Sequence, residues 1–382
     1  MNAMNNMVSE KSPHIGGRYA NFGLEIFTYV SLFFLVGVGF SSLLANYSFA
    51  LANVARICAV GIGVISIAIR NPRVIDFCFW FLALGLSYFI AQRSGKMTVF
   101  FATVAVVLVS GYPTRKVLLA FFVSALIDFA LLVAASGLGF TNLFATKGGQ
   151  VVLSLGLVSS NTLGSIAFMF LCLIEFFLGS NRRLFTPLLL VYAFAFFCLT
   201  ASRTPFVASV VLILLCAIFN DSWGRLKKTS WLCLIPFAFS VLSIGLLVLF
   251  ANGNPVARQL DGLLSGRLLL NYTYNFDVAG IPLLGSSPNG IYSQTIDNVY
   301  LFMLYRCGLF GLVLYNVYYY FLLAKLSKEA DPFLFILCLL MAAYGLTEST
   351  TLVSTCLNPT LLLLCTLPDN DSYLMHEGNS HD

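Results

Sequence analysis

The chain has 382 residues, 59% of them hydrophobic and only 10% charged, with a formal net charge of +5. Soluble domains carry roughly a quarter charged residues because their surfaces face water, so a water-soluble globular protein is excluded. The cations lie between apolar runs and form no dense Lys/Arg tract, so the positive charge is no argument for nucleic acid and instead fits the loops that orient membrane helices.

Residues 1–23 are polar and precede the first apolar run by too much to form a cleaved signal peptide. They predict a cytoplasmic tail, as do residues 368–382. Between them, apolar runs recur at about 24–45, 51–69, 74–92, 97–114, 117–136, 161–179, 185–201, 205–220, 231–250, 298–324, 333–348 and 351–367. A helix needs about 20 apolar residues to cross the hydrocarbon core of a bilayer. The runs are continuous, whereas the strands of a membrane barrel alternate with period two. The prediction is an all-α, polytopic membrane domain of about twelve transmembrane helices spanning 24–367, with the whole chain as one domain. Run 97–114 is poor in apolar residues, and run 351–367 is interrupted by Asn358-Pro359.

With the N-terminus inside, thirteen of the 21 Lys and Arg fall in cytoplasmic segments and six fall outside: Arg93, Lys96, Lys147, Arg203, Arg258 and Arg267. Arg56 and Arg306 lie within apolar runs. The positive-inside rule therefore places both termini in the cytoplasm. Two outer loops exceed turn length, 137–160 and 251–297, and long connections of this kind are functional or disordered. The second carries Tyr272, Tyr274, Phe276 and Tyr292, and such aromatic content argues against disorder.

The ten cysteines are scattered singly with no CxxC pair and read as small hydrophobes. All three histidines, His14, His376 and His381, stand in the polar ends. No DxD or His-Asp cluster marks a metal site, so neither metal nor cofactor is expected.

Chemistry concentrates on the outer face. Ser159-Ser160-Asn161-Thr162, Ser202-Arg203-Thr204-Pro205 and Asp297-Asn298 each precede an apolar run, and such residues satisfy the free amides of a helix start. Plain capping accounts for all three. Arg203 adds a second possibility, because a helix N-terminus with a bidentate guanidinium suits a phosphate or diphosphate. Arg258 and Arg267 would supply further positive charge. Glu348 closes the run Tyr344-Gly345-Leu346-Thr347-Glu348, where it either reaches interfacial water or faces a polar cavity with an arginine such as Arg306. Asp128 in the fifth run is a similar acid with no evident partner.

These residues carry a resemblance. Leu199-Thr200-Ala201-Ser202-Arg203-Thr204-Pro205 resembles the T-x-S-R segment of the O-antigen polymerase and ligase superfamily. Asp297-Asn298-Val299-Tyr300-Leu301, followed by Gly308-Leu309-Phe310-Gly311, is similar to its [HD]-N-x-Y-L…G-x-x-G helix. Asn161-Thr162-Leu163-Gly164 resembles its N-x-L-G helix start, and Tyr344–Glu348 its Y-G-L-x-E ending. Arg258 and Arg267 fall in the outer loop where the family keeps functional arginines. The similarity covers about residues 160–350.

The resemblance implies a metal-independent glycosyltransferase of the bacterial inner membrane, acting at the periplasmic face on glycans carried by undecaprenyl diphosphate. Catalysis would fall to Arg203, Arg267, Asp297 and Glu348, and substrate binding to Arg258, Asn161, Asn298, Tyr300 and Arg306. Its partners would be the lipid-linked oligosaccharide, membrane lipids and a chain-length regulator. The polymerases (Wzy) extend the chain onto the next repeat unit, and the ligases transfer it to lipid A–core. In the ligases the position matching Asp297 is a histidine, so the aspartate favours the polymerase branch. A flippase for the same lipid-linked unit is the rival from another class. Transporters place ionisable groups near the bilayer midplane; Asp76, Asp128 and Glu175 keep that reading open, while the crowding of the distinctive polar residues on one face speaks against it.

Overall fold

The computed structural model describes residues 15–42, 49–69, 74–94, 97–219, 230–263, 266–275, 281–285, 296–328, 332–349 and 358–366. The arrangement is helical apart from one small hairpin. In chain order the helices are α1 (Ile15–Ser42), α2 (Phe49–Ile69), α3 (Val74–Ser94), α4 (Thr98–Val109) and α5 (Thr114–Gly137). The hairpin β1 (Phe144–Lys147) and β2 (Gln150–Leu153) comes next, then α6 (Ser160–Leu178), α7 (Arg182–Thr200), α8 (Arg203–Phe219) and α9 (Ile235–Ala251). The last five are α10 (Pro255–Leu263), α11 (Arg267–Asn275), α12 (Val299–Arg306), α13 (Gly308–Leu326) and α14 (Phe333–Tyr344).

Among the described residues, five helical stretches are long and apolar enough to cross a membrane: Thr114–Gly137, Ser160–Leu178, Arg182–Thr200, Trp231–Ala251 and Gly308–Leu326. Five shorter apolar helices join them. The bundle carries apolar side chains on its outside as well as its inside. Phe79, Phe81 and Leu82 on α3, Leu184 and Val191 on α7 and Val241 on α9 are all exposed. A helix apolar all round is either buried in a core or set in lipid, and α6 and α7 illustrate the two cases. Leu163, Ile166, Met169 and Leu171 bury α6 at the centre of the bundle, whereas most of α7 faces outward.

Several expected crossings take a different form. The tenth run, 298–324, is two helices, because the chain breaks at Cys307-Gly308, where Gly308 has φ +80°. Residues 281–285 dock into the break. The Leu309 and Phe310 amides, free at the start of α13, donate to the carbonyls of Pro282 (3.0 Å) and Leu283 (3.0 Å). Irregular backbone inside a membrane bundle survives only when its polar groups are met in this way. A side chain on Gly308 would strike the backbone of Leu283 and Gly285, which explains the glycine.

The fourth run forms only the 12 residues of α4, about 18 Å at 1.5 Å per residue against a hydrocarbon core of about 30 Å. Of the twelfth, the described part is a short 3-10 turn, Pro359–Leu362. Lys325 at the end of α13 holds this segment by donating to the Leu363 and Thr366 carbonyls at 2.7 and 2.6 Å. The first helix starts at Ile15, inside the expected polar tail. The expected loop 251–297 contains α10 and α11, both of which pack on α9. The nine described cysteines are free thiols. All three histidines lie outside the described residues.

Candidate functional site

Two short segments meet at one end of the bundle. Residues 296–298 lead into α12, and residues 345–349 leave α14. The Val299 amide donates to the Gly345 carbonyl at 2.8 Å, and the Asn298 carboxamide donates to the Leu346 carbonyl at 3.0 Å. Ser349 Oγ donates to the Ile296 carbonyl. These bonds set Asp297 and Glu348 side by side just beyond the helices.

Arg267 reaches both acids. Its Nη2 donates to Glu348 Oε1 at 2.9 Å, while its Nη1 stands 4.0 Å from Asp297 Oδ2. Nη1 is buried and has no hydrogen-bond partner among the described residues. Arg267 is placed by Asp261 of α10, whose carboxylate accepts from the Leu268 and Leu269 amides at 2.7 and 3.1 Å. Asp261 is therefore a cap for α11. One turn along the same face of α11, Asn271 is buried, and its Oδ1 has no partner among the described residues.

A second group approaches from α6 and α8. Ser159 caps α6 by accepting from the Thr162 amide. Ser202 Oγ, in the turn before α8, donates to the Ser160 carbonyl at 2.9 Å and lies 3.2 Å from Asn161 Oδ1. The turn passes directly over Gly164, where an added Cβ would lie 2.7 Å from Ser202 Cβ. The glycine lets α8 start against α6 and sets exposed Arg203 at the helix N-terminus.

Lys147, at the end of β1, joins the two groups. Its ammonium donates to Asn161 Oδ1 at 2.7 Å and to the Ala201 carbonyl at 2.8 Å. It also interacts electrostatically with Arg203, Glu348 and Arg267. The hairpin turns through Gly148 and Gly149, both at positive φ, and Lys147 pairs with Gln150 across the turn. By charge and position alone Lys147 is only one of six outer cations. The signal was present: a Gly-Gly pair flanked by Phe-Ala-Thr and Val-Val-Leu marks a two-residue hairpin.

Burial dominates the protonation of these groups. It pushes the Asp297 and Glu348 carboxyls above their ordinary values, and Arg267 pulls both back. Asp297 raises Glu348 further, while Lys147 opposes that rise. For Lys147, burial and then the Arg203 charge lower the ammonium, with Glu348 acting the other way.

The remaining predicted residues divide. Asn298 spends its side chain on structure, accepting from the Leu301 amide and donating to Ser243 Oγ (3.0 Å) and Leu346. Tyr300 is fully buried, with its hydroxyl donating to the Ala342 carbonyl at 2.7 Å. Both hold the site's walls together. Arg306 is buried at the far end of α12, about 10 Å along the helix from Val299 at 1.5 Å per residue. Glu348 takes Arg267 as its partner, not Arg306. Arg258 is exposed on α10 and lies beside Gly253, with no guanidinium bond to the cluster among the described residues. Asp128 stands elsewhere, against Gly37 of α1. Arg182 Nε donates to the Glu175 carbonyl at the opposite end of α6.

The cluster thus gathers Arg267 against Asp297 and Glu348, partly out of water, with Lys147 in electrostatic reach of Glu348 and of exposed Arg203. Such a set can bind an anion and hold a carboxylate near it. No protein-family model, curated protein or solved structure matches this chain.

Proposed function

We propose that this protein is a polysaccharide polymerase, a glycosyltransferase that moves a growing glycan from undecaprenyl diphosphate to the non-reducing end of the next lipid-linked repeat unit. The observation that carries the proposal is Arg267: a half-buried guanidinium with one end on Glu348 and the other, a buried Nη1, unspent beside Asp297. An uncommitted buried donor in a cation-rich site calls for an anionic ligand, and a diphosphate accepts several such bonds.

In this mechanism the acceptor hydroxyl oxygen bonds to the anomeric carbon of the donor sugar. The bond from that carbon to the diphosphate oxygen breaks, and its electron pair leaves with the diphosphate. Arg267 and Arg203, with the amides opening α8, meet the charge that develops there. The hydroxyl proton passes to Asp297, the carboxylate less committed to Arg267. Glu348 fixes the guanidinium, Asn161 and Asn298 hold the walls, and Arg258 adds positive charge on the same segment. An aspartate at position 297, where ligases of the resembling superfamily carry histidine, favours the polymerase over the ligase. The proposed setting is a bacterial inner membrane, with about a dozen crossings, both termini cytoplasmic and the site on the periplasmic side.

The test uses the full-length protein in proteoliposomes with an undecaprenyl diphosphate-linked repeat unit and EDTA. Products longer than one unit are expected, and Arg203→Ala lowers their formation by about 10²–10³-fold, the usual cost of losing one charge-stabilising donor. Undiminished polymerisation by Arg203→Ala would remove Arg203 from the diphosphate site.

A further inference from the structure

Lys147 is the least expected member of the cluster. It comes from the tip of an extramembrane hairpin, far in sequence from α8 and α11. A lysine that served only to solubilise the hairpin would point to water, yet this ammonium is turned inward onto Asn161 Oδ1 and the Ala201 carbonyl. The Ala201 carbonyl closes α7, where a cation is favourable, and Ala201 itself sits in the left-handed region at φ 49°. Capping alone would explain that bond. It does not explain why this third cation stands within electrostatic reach of Arg203 and Arg267, which repel it, and of Glu348, which attracts it.

An ammonium has three donors, and two are spent among the described residues. Together with the unspent Nη1 of Arg267, the third gives the site one donor from the α6–α8 side and one from α11. We propose that Lys147 is a diphosphate-binding residue, delivered by the hairpin, that grips the phosphate of the donor lipid together with Arg267. The inference rests on the polymerase reading of the site and names the residue that completes its anion grip.

Positive charge near lipid could equally recognise a phospholipid headgroup, since both ligands present phosphate oxygens. The two sources separate by experiment. Full-length protein in detergent is titrated with undecaprenyl diphosphate and, in a parallel arm, with phosphatidylglycerol. Wild type is compared with Lys147→Gln and Lys147→Arg. Gln keeps an N–H for Ala201 and loses the charge, whereas Arg keeps the charge.

The expected result is undecaprenyl diphosphate binding weakened about tenfold or more by Lys147→Gln and restored to within about threefold by Lys147→Arg. Phosphatidylglycerol binding is expected to change little in either variant. If Lys147→Gln binds undecaprenyl diphosphate like wild type while Arg203→Ala does not, Lys147 is a cap and the inference is overturned with the polymerase reading intact. If only phosphatidylglycerol binding depends on Lys147, the headgroup reading replaces it. If wild type binds no undecaprenyl diphosphate, the functional reading itself falls. Should Lys147→Gln fail to fold, Lys147→Arg and acetylation of the folded protein with and without undecaprenyl diphosphate decide the point. Protection of Lys147 by the ligand supports the inference, and equal labelling overturns it.

Discussion

At the scale of single residues, the site turns on how Arg267 divides itself between two acids. Glu348 takes the short bond, leaving Asp297 with the longer contact and greater exposure. Burial lifts the Asp297 carboxyl above its ordinary value, and Arg267 offsets part of that rise. A group that accepts a proton works only when ionised, so activity should appear as pH rises through this elevated value and vanish below it. The rate against pH should therefore show an acid limb above the usual aspartate value of about 3.9. Asp297→Asn should leave a residual rate about 10²–10⁴-fold lower, with that limb gone. An unchanged limb in Asp297→Asn would transfer the proton to Glu348. The identities of these residues were legible in the sequence, since Asp297, Glu348, Arg267 and Arg203 all stood out by type and position. Their pairing was not. Hydropathy carries no information on which arginine meets which acid, and the sequence pointed to Arg306, not Arg267, as a partner for Glu348.

At the scale of elements, glycines decide where backbones meet. Gly164 lets the Ser202 turn lie on α6, and Ser202 is followed directly by Arg203. Gly164→Ala should push that turn outward and displace Arg203. A misplacement of about 1 Å costs on the order of 10²-fold in rate. The measurement is polymerisation per molecule of membrane-inserted protein, and full activity in Gly164→Ala would show that the contact does not position Arg203. The break between α12 and α13 belongs to the same scale. It was hidden in the sequence because Cys307-Gly308 lies inside an apolar run. The carbonyls of Pro282 and Leu283 that make the break tolerable come from a separate segment. The 144–153 hairpin, by contrast, was written plainly in Lys147-Gly148-Gly149-Gln150 and was passed over as part of a loop.

At the scale of the molecule, composition alone specified a helical chain with apolar surfaces, and both are found in the fold. The number of crossings was less legible. Counting apolar runs treats each as a straight helix about 30 Å long, whereas α4 and α14 have 12 residues each and the tenth run breaks at Cys307-Gly308. What the whole fold achieves is convergence: α6, α8, α11, α12, α14 and the hairpin each bring one or two groups to one end of the bundle. Removing the chain should leave each lipid-linked unit made and delivered but never joined to the next. The most direct measurement is the surface-polysaccharide ladder on a gel, from cells lacking this gene and from the same cells carrying wild type or Arg267→Ala. A single repeat unit is expected in the deletion and in Arg267→Ala, with the full ladder restored by wild type. A deletion strain that keeps its ladder, or that delivers no glycan to the outer leaflet at all, would overturn the polymerase reading.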